Sequence, residues 1–451
     1  MSQIHLNPQT LRISSFGPIT ELEIKVDDLL IFIGSQASGK STVSKAIFFF
    51  KSLKDELLRY LYQSYKQQKF DESVTDFAKQ AKQKFIKIYG HTLQFPDMEL
   101  KYDYGNGMVT TIKNSRYTDI IFDDYFRSQF RNLVQYLQQN YNQLQKQSIF
   151  LSSRELSAIN AQESNLFDTI TEEVNKLFND EKDLLFLPAG RSVITTLSQQ
   201  RYNIDLGDIN ESEIDSLNYL KLDYIMQNFI SRIDNAKPLF NQSLADLIQD
   251  SISDSNNPEY REIIKLAQNI IDQILKGSYR YEDGIEKIEF GDGKETLINF
   301  ASSGQQEVVW ILLLILLLIV RKRPVFLVIE EPEAHLFPVT QKQIIDLIGL
   351  LANQSNNQVI VTTHSPYILS SFNNLLYAHQ LGVKKSKKIN EVVNHHCWIA
   401  PERLNAYILE DGTARSIMDT EVRLIESAEI DRASDIIVDT FNQLFELEDE
   451  E

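Results

Sequence analysis

The sequence predicts an α/β protein, and three observations predict it. Short apolar strands alternate with helical segments at both ends of the chain. One of those strands, residues 29–33, runs into a glycine-containing loop and then into a helix. Two more, residues 325–329 and 358–362, end in clusters of acidic, histidine and hydroxyl side chains.

Taken in order, residues 11–13 and 22–24 are predicted strands about the turn Phe16-Gly17-Pro18. A helix is expected over residues 41–65, with Val43, Ile47 and Phe50 on one side, and another over 71–89. Alternation over 98–104 and 108–113 about Gly105-Asn106-Gly107 predicts a hairpin. Residues 119–180 are rich in Gln and Asn with helical spacing, and 184–187 form a strand entering Pro188-Ala189-Gly190-Arg191-Ser192. Residues 205–276 are helical again. A second hairpin, 279–290 with 295–300, turns at Gly291-Asp292-Gly293. An apolar helix, the strand 325–329, a helix near 339–353 and the strand 358–362 follow. The end is a hairpin over 406–418 and an amphipathic helix over 430–444, whose expected buried face is Ile436, Ile437, Phe441 and Leu444. The core is thus expected from residues 1–118, 183–204 and 277–451, with helical insertions at 119–182 and 205–276.

Bulk properties narrow the classes. The chain has 451 residues, 43% hydrophobic and 24% charged, which is ordinary globular composition. Its single cysteine, Cys397, rules out an internal disulfide and suits a reducing compartment, so a cytoplasmic location is expected. No basic stretch followed by an apolar core opens the sequence, so no secretory signal is read there. The longest apolar run, residues 308–320, falls short of the roughly 20 residues a membrane span needs and is expected as a buried helix, with no membrane contact. A net charge of −18 does not attract a polyanion as a whole. Nucleic acid would therefore need a local basic patch. The lysine-rich segment 45–116 is expected to be a solvated helix face, and Lys384, Lys385, Lys387 and Lys388 a loop.

Four motifs carry chemistry. Gly34-Ser35-Gln36-Ala37-Ser38-Gly39-Lys40-Ser41, followed by Thr42, fits the phosphate-loop pattern G-x-x-x-x-G-K-[ST] in full, with a strand before it and a helix after it. Its amides and the helix N-terminus suit phosphate oxygens; Lys40 reaches the β- and γ-phosphates of ATP and Ser41 ligates Mg²⁺. Phe326 to Ile329 ends in Glu330-Glu331, where one carboxylate can hold the Mg²⁺ shell and the next polarise a water. Ala301-Ser302-Ser303-Gly304-Gln305-Gln306-Glu307 opens the apolar helix; it suits either a phosphate or a simple capping box. His364 stands just past a strand in Thr362-Thr363-His364-Ser365-Pro366.

The order of these motifs resembles the ABC-type ATPases. It is more similar to the soluble branch that includes the SMC proteins, RecF and the overcoming-lysogenisation-defect (OLD) family. The nearest likeness is to ATPase subunits of bacterial anti-phage systems such as Septu, PARIS and some retrons. The residues behind it are FGPI (16–19), GSQASGKST, FLPAGRS (186–192), FASSGQQE, IEEPEAHLFP (329–338) and TTHSPYIL (362–369). The resemblance implies an ABC-type phosphate-loop core with a mixed sheet and an antiparallel lobe. It also implies an ATP sandwich of two copies: Glu330 helps hold Mg²⁺, Glu331 is the catalytic base, His364 contacts the γ-phosphate, and Ser302 and Gly304 serve the opposite copy's nucleotide. Gln36-Ala37 stand where Asn-Gly is usual, Ser303 where glycine is, and Glu330 where Asp is commoner. Arg191 is expected only to pair with an acid at its strand end.

OLD nucleases add a metal-binding Asp-x-Asp pair, and none occurs after Tyr367. The expectation is therefore an ATPase that controls a separate effector, a nuclease or toxin encoded nearby, in anti-phage defence. The alternative is a DNA-repair or chromosome-structure ATPase of the SMC or RecF type, although no sustained heptad run spans either insertion. A transporter subunit fits poorly with the EEPEAHLFP form.

Overall fold

The computed structural model describes residues 7–70, 73–114, 117–147, 153–192, 223–240, 244–253, 257–426 and 437–445. In chain order these begin with strands β1 (Thr10–Phe16), β2 (Ile19–Lys25) and β3 (Leu29–Ile33) and helices α1 (Lys40–Gln67) and α2 (Val74–Tyr89). Strands β4 (Glu99–Asp103), β5 (Val109–Asn114) and β6 (Thr118–Phe122), helices α3 (Asp124–Gln147) and α4 (Ser153–Phe178) and strand β7 (Asp183–Leu187) follow. Next come helices α5 (Tyr224–Ala236), α6 (Leu244–Ser253) and α7 (Pro258–Leu275) and strands β8 (Ser278–Glu282), β9 (Ile285–Phe290) and β10 (Lys294–Leu297). The last run is α8 (Ser303–Arg321), β11 (Val325–Glu330), α9 (Pro338–Ala352), β12 (Gln358–Thr363), α10 (Pro366–Asn390), β13 (Leu404–Glu410) and β14 (Thr413–Ser416). The mixed sheet with flanking helices and the antiparallel sheet expected of an ABC-type phosphate-loop ATPase core are both present.

The chain divides into two compact units. The first comprises Met1–Asp27, Ala37–Leu184 and Leu409–Ala414. It holds the antiparallel sheet β2-β1-β4-β5-β6 and helices α1 to α4. Helix α1 buries Val43, Ile47, Phe50, Leu53, Leu57 and Leu61, a stripe at helical spacing. Helix α2 starts in a capping box between Ser73 and Asp76. Phe77 stacks on Phe122, Phe126 and Phe130.

The second unit comprises Asp28–Gln36, Leu185–Ile408 and Arg415–Glu451. Its six-stranded sheet has the order β14-β13-β3-β12-β11-β7, in which β13, β3, β12 and β11 run parallel. β11 and β12 are buried along their whole length, as parallel strands covered on both faces must be. Helix α8 buries every side chain from Val308 to Leu317, each large one contributing about 1.5–3 kcal/mol. Pro258, Pro338 and Pro366 each stand in the first turn of a helix, where the missing N–H leaves no bond unmade.

Several expectations need correction. Thr118–Phe122, at the head of a segment read as helical, forms β6 and pairs with β5. The strand expected over 279–290 is two strands, β8 and β9, joined through Asp283 and Gly284, both at positive φ, an Asp-Gly hairpin signal. The lysines Lys384, Lys387 and Lys388 lie in α10, not a loop, with helical geometry broken only at Lys385. The lysine-rich segment is not simply a solvated face. Lys51 donates to Asp180 Oδ2 at 2.7 Å, Lys54 to the Lys182 carbonyl at 2.7 Å and Lys84 to Glu56 Oε1 at 2.8 Å, all three buried. Burial holds the Lys51 and Lys84 ammonium groups below the usual lysine range, partly offset by Asp180 and Glu56. Ile437, Phe441 and Leu444 are exposed on the helix at residues 437–445, because amphipathic spacing specifies a face but not what covers it. Ile436 and the rest of that expected helix lie outside the described residues.

Cys397 sits in a single helical turn, His395–Cys397, which Asn353 holds by donating to the His396 and Trp398 carbonyls. Burial pushes its thiol up to about 12. Alkylation at pH 8 is therefore expected to be slower in the native protein than in denaturant by roughly 10²- to 10³-fold, since only the thiolate reacts. Equal labelling rates would place Cys397 at the surface.

Candidate functional site

β3, β12 and β11 carry the site because of their register. Ile33 lies opposite Thr363, and Thr362 opposite Glu330. The three strands therefore end along one edge of the sheet, and Gly34, His364 and Glu331 are the residues that follow them. In open α/β sheets, ligands bind outside such carboxyl ends.

The loop Gly34–Thr42 leaves β3 and becomes α1. Ala37 has φ 62 and Gly39 φ 103. Left-handed backbone of this kind disfavours side chains by roughly 1–2 kcal/mol, so Ala37, in place of the usual glycine, holds a conformation that glycine would adopt freely. A Cβ on Gly39 would stand 2.4 Å from Ile19 Cδ1. The Gly39 carbonyl accepts the first helical bond, from Val43 N at 3.0 Å, and Tyr89 Oη donates to the Thr42 carbonyl at 2.9 Å. Lys40 is 6% exposed. Ser38 Oγ is buried and makes no hydrogen bond among the described residues. A loop with an unmatched buried hydroxyl at the head of a helix fits a phosphate group.

The strand-end carboxylates lie in the second unit. Glu331 has φ 45, a strained value for a glutamate. Its N–H donates to the Thr362 carbonyl at 2.9 Å, and its carbonyl accepts from Ala334 N at 3.1 Å and Arg191 Nη2 at 2.9 Å. Its carboxylate Oε1 lies 3.0 Å from His364 Nε2, and both side chains are about one-third exposed, at 37% and 36%. Glu330 is 5% exposed; its Oε2 accepts from Ala189 N at 3.4 Å, and its Oε1 has no hydrogen-bond partner among the described residues. Glu333 Oε1 accepts from Thr363 Oγ1 at 2.6 Å and His364 N at 2.8 Å, while its Oε2 is also unmatched. Two buried carboxylate oxygens without donors suit a hard cation, which takes oxygen ligands.

Arg191 proves to be far more than an ion pair at a strand end. It is 2% exposed and binds Glu307 through its side chain. Its guanidinium donates to four main-chain carbonyls, of Pro188, Glu307, Glu330 and Glu331. Burial lowers its pKa, opposed by Glu307, Glu330, Glu333 and Glu331. Glu307 in turn accepts from the N–H groups of Arg191 and Ser192 at 3.0 and 2.9 Å. Motif reading passed over Glu333 and Glu307; the charges inside EEPEAH and FASSGQQE were the available signal.

At the start of α8, Ser302 is the N-cap and forms a capping box with Gln305. Gln305 Nε2 donates to the Leu275 carbonyl at 2.7 Å, so that side chain is taken up locally. Ser302 and Ser303 are exposed. A Cβ on Gly304 would lie 2.8 Å from the His335 carbonyl oxygen, so only glycine lets the helix approach this closely.

A phosphate loop followed in sequence by a strand-end acidic pair defines a phosphate-loop nucleotide-binding protein. The chain belongs to the AAA ATPase domain family, whose pattern matches residues 9–369. The comparison with curated proteins gives no match. Among solved structures, similarity extends to an SMC head bound to the C-winged helix domain of ScpA, at 13% identity and a TM-score of 0.40, covering 92% of this chain and 98% of that one. The SMC head domain from Thermotoga maritima has 11% identity and a TM-score of 0.36, covering 91% and 98%. An SMC head with an extended coiled coil, bound to the C-terminal domain of ScpA derived from Pyrococcus furiosus, has 12% identity and a TM-score of 0.37, covering 91% and 96%.

Gly39→Ala is expected to lower stability by about 1–3 kcal/mol through strain and the clash with Ile19, read by denaturant unfolding. Wild-type stability would contradict the packing described.

Proposed function

We propose that this chain binds ATP with Mg²⁺ and hydrolyses it, and that the cycle controls a separate effector protein in anti-phage defence. The observation that supports hydrolysis is the pairing of Glu331 with His364 at the strand-end edge, beside a buried Glu330 oxygen that lacks a donor. Residues Gly34 to Thr42 wrap the phosphates, with Lys40 at the β- and γ-phosphates. Ser41 and Glu330 hold Mg²⁺, which neutralises charge on the phosphate oxygens. Glu331 accepts the proton of the attacking water, and His364 orients that carboxylate and faces the γ-phosphate. In an ATP sandwich of two copies, Ser302, Ser303 and Gly304 serve the opposite copy's γ-phosphate; the exposure of Ser302 and Ser303 is in keeping with this.

The effector and the defence role rest on the motif resemblance. The effector docks on the two long segments 119–182 and 205–276, in the cytoplasm; residues 205–222 of the second lie outside the described residues. A ligand shifts a conformational equilibrium only by its differential affinity for the two states. The effector therefore binds the ATP-held and nucleotide-free forms differently. Purification with the neighbouring gene product, with and without ATP, tests this; equal affinity in both states would remove the switch. ATP turnover stimulated by DNA with no partner present would favour the alternative of a DNA-acting ATPase.

Lys40→Ala is expected to lose most ATP affinity, measured by equilibrium binding of labelled nucleotide. Glu331→Gln is expected to bind ATP normally and hydrolyse it about 10²- to 10⁴-fold more slowly. Wild-type turnover by Glu331→Gln would move the base elsewhere.

A further inference from the structure

We propose that Arg191 is the positioning residue for Glu331 and ties the setting of that carboxylate to helix α8, an inference that rests on Glu331 being the general base. β11 leaves the sheet at Glu331 in a left-handed turn, φ 45, which persists only where the surroundings fix it. The Glu331 N–H is held by the Thr362 carbonyl, and its own carbonyl by Arg191 Nη2. The same guanidinium holds the preceding carbonyl, of Glu330, at 2.7 Å and that of Pro188 at 2.6 Å through Nη1. The end of β11 is thus clamped to the segment after β7 by one planar fork. The clamp sets the direction in which the Glu331 side chain leaves the backbone, toward His364.

The other side of the fork belongs to α8. Arg191 Nε donates to the Glu307 carbonyl at 3.0 Å, and the Glu307 carboxylate takes the N–H groups of Arg191 and Ser192. Glu307 lies three residues past Gly304, within one helical turn of the signature segment. A shift of that first turn therefore acts on Glu307, then on Arg191, then on the carbonyl of Glu331. The fork is planar and held by four main-chain carbonyls, so it transmits such a shift rather than absorbing it. Engagement of Ser302 to Gly304 by a nucleotide would in this way set the base in the same copy.

The test uses Arg191→Lys, which keeps the charge but cannot fork to four carbonyls. Turnover is expected to fall by roughly tenfold or more with the KM for ATP within about twofold of wild type, as for loss of a transition-state interaction. Because Arg191 acts through Glu331, the double variant Arg191→Lys with Glu331→Gln should be no slower than Glu331→Gln alone. Glu307→Gln, similar in shape, should show the same pattern and carries the test if Arg191→Lys unfolds on thermal melting. Full turnover in a folded Arg191→Lys protein, or losses that multiply in the double variant, would overturn the proposal. Full turnover in Glu331→Gln alone would instead overturn the assignment of the base, a separate result.

Discussion

The chemistry of the second unit depends on the parallel register of β11, β12 and β3. The register sets Glu330 against Thr362 and Thr363 against Ile33. It is held by strands with almost no exposed surface, from Phe326 to Ile329 and from Val359 to Val361. A slip of one residue in a buried strand exchanges its faces. Glu330 would leave its pocket, and the bond from Glu331 N to the Thr362 carbonyl would break. Apolar packing of ordinary residues thus sets the position of groups that are not apolar at all.

The charge balance at that edge is deliberately uneven in its effect. Glu307, Glu330, Glu331 and Glu333 all act on the buried cation Arg191, whose donors go mostly to carbonyl oxygens. Buried charge is tolerated when paired, and unpaired oxygens in low dielectric are costly. A surplus of carboxylate acceptors of this kind suits a hard cation, and it explains why the glutamates need a scaffold as rigid as the Arg191 fork.

Much of this was legible in the sequence. Residues 29–33, 325–329 and 358–362 read as buried strands because unbroken apolar runs are bounded by turn or charged residues, and Gly39-Lys40-Ser41 matches a pattern whose mechanism is known. A serine N-cap with a glutamate a few residues on was one of two readings of its motif; Ser302 is the N-cap, but Gln305 rather than a glutamate completes the box. Arg191 was not legible, because nothing in a linear string shows that Pro188, Glu307, Glu330 and Glu331 converge on one guanidinium. Lys51, Lys54 and Lys84 misled for the same reason: their partners Asp180, Lys182 and Glu56 are set by tertiary contacts, two of them far along the chain. Strand β6 was hidden by its polar neighbours, and the Asp283-Gly284 turn by the stronger glycine pair that follows it.

Helix α8 has a consequence during synthesis. At 19 residues it is long and apolar enough to cross a membrane, yet folding buries most of it in a core. Until β11 and β12 have left the ribosome, the six-stranded sheet cannot assemble against it, because both lie after it in the chain. The nascent protein therefore carries a partly uncovered greasy rod through a stretch of translation, guarded at its far end by Arg321, Lys322, Arg323 and Pro324. Substitutions that loosen the sheet would expose the same rod again, so chaperone dependence and proteolytic turnover in the cell should track the integrity of β11 and β12 more closely than that of the exposed helices.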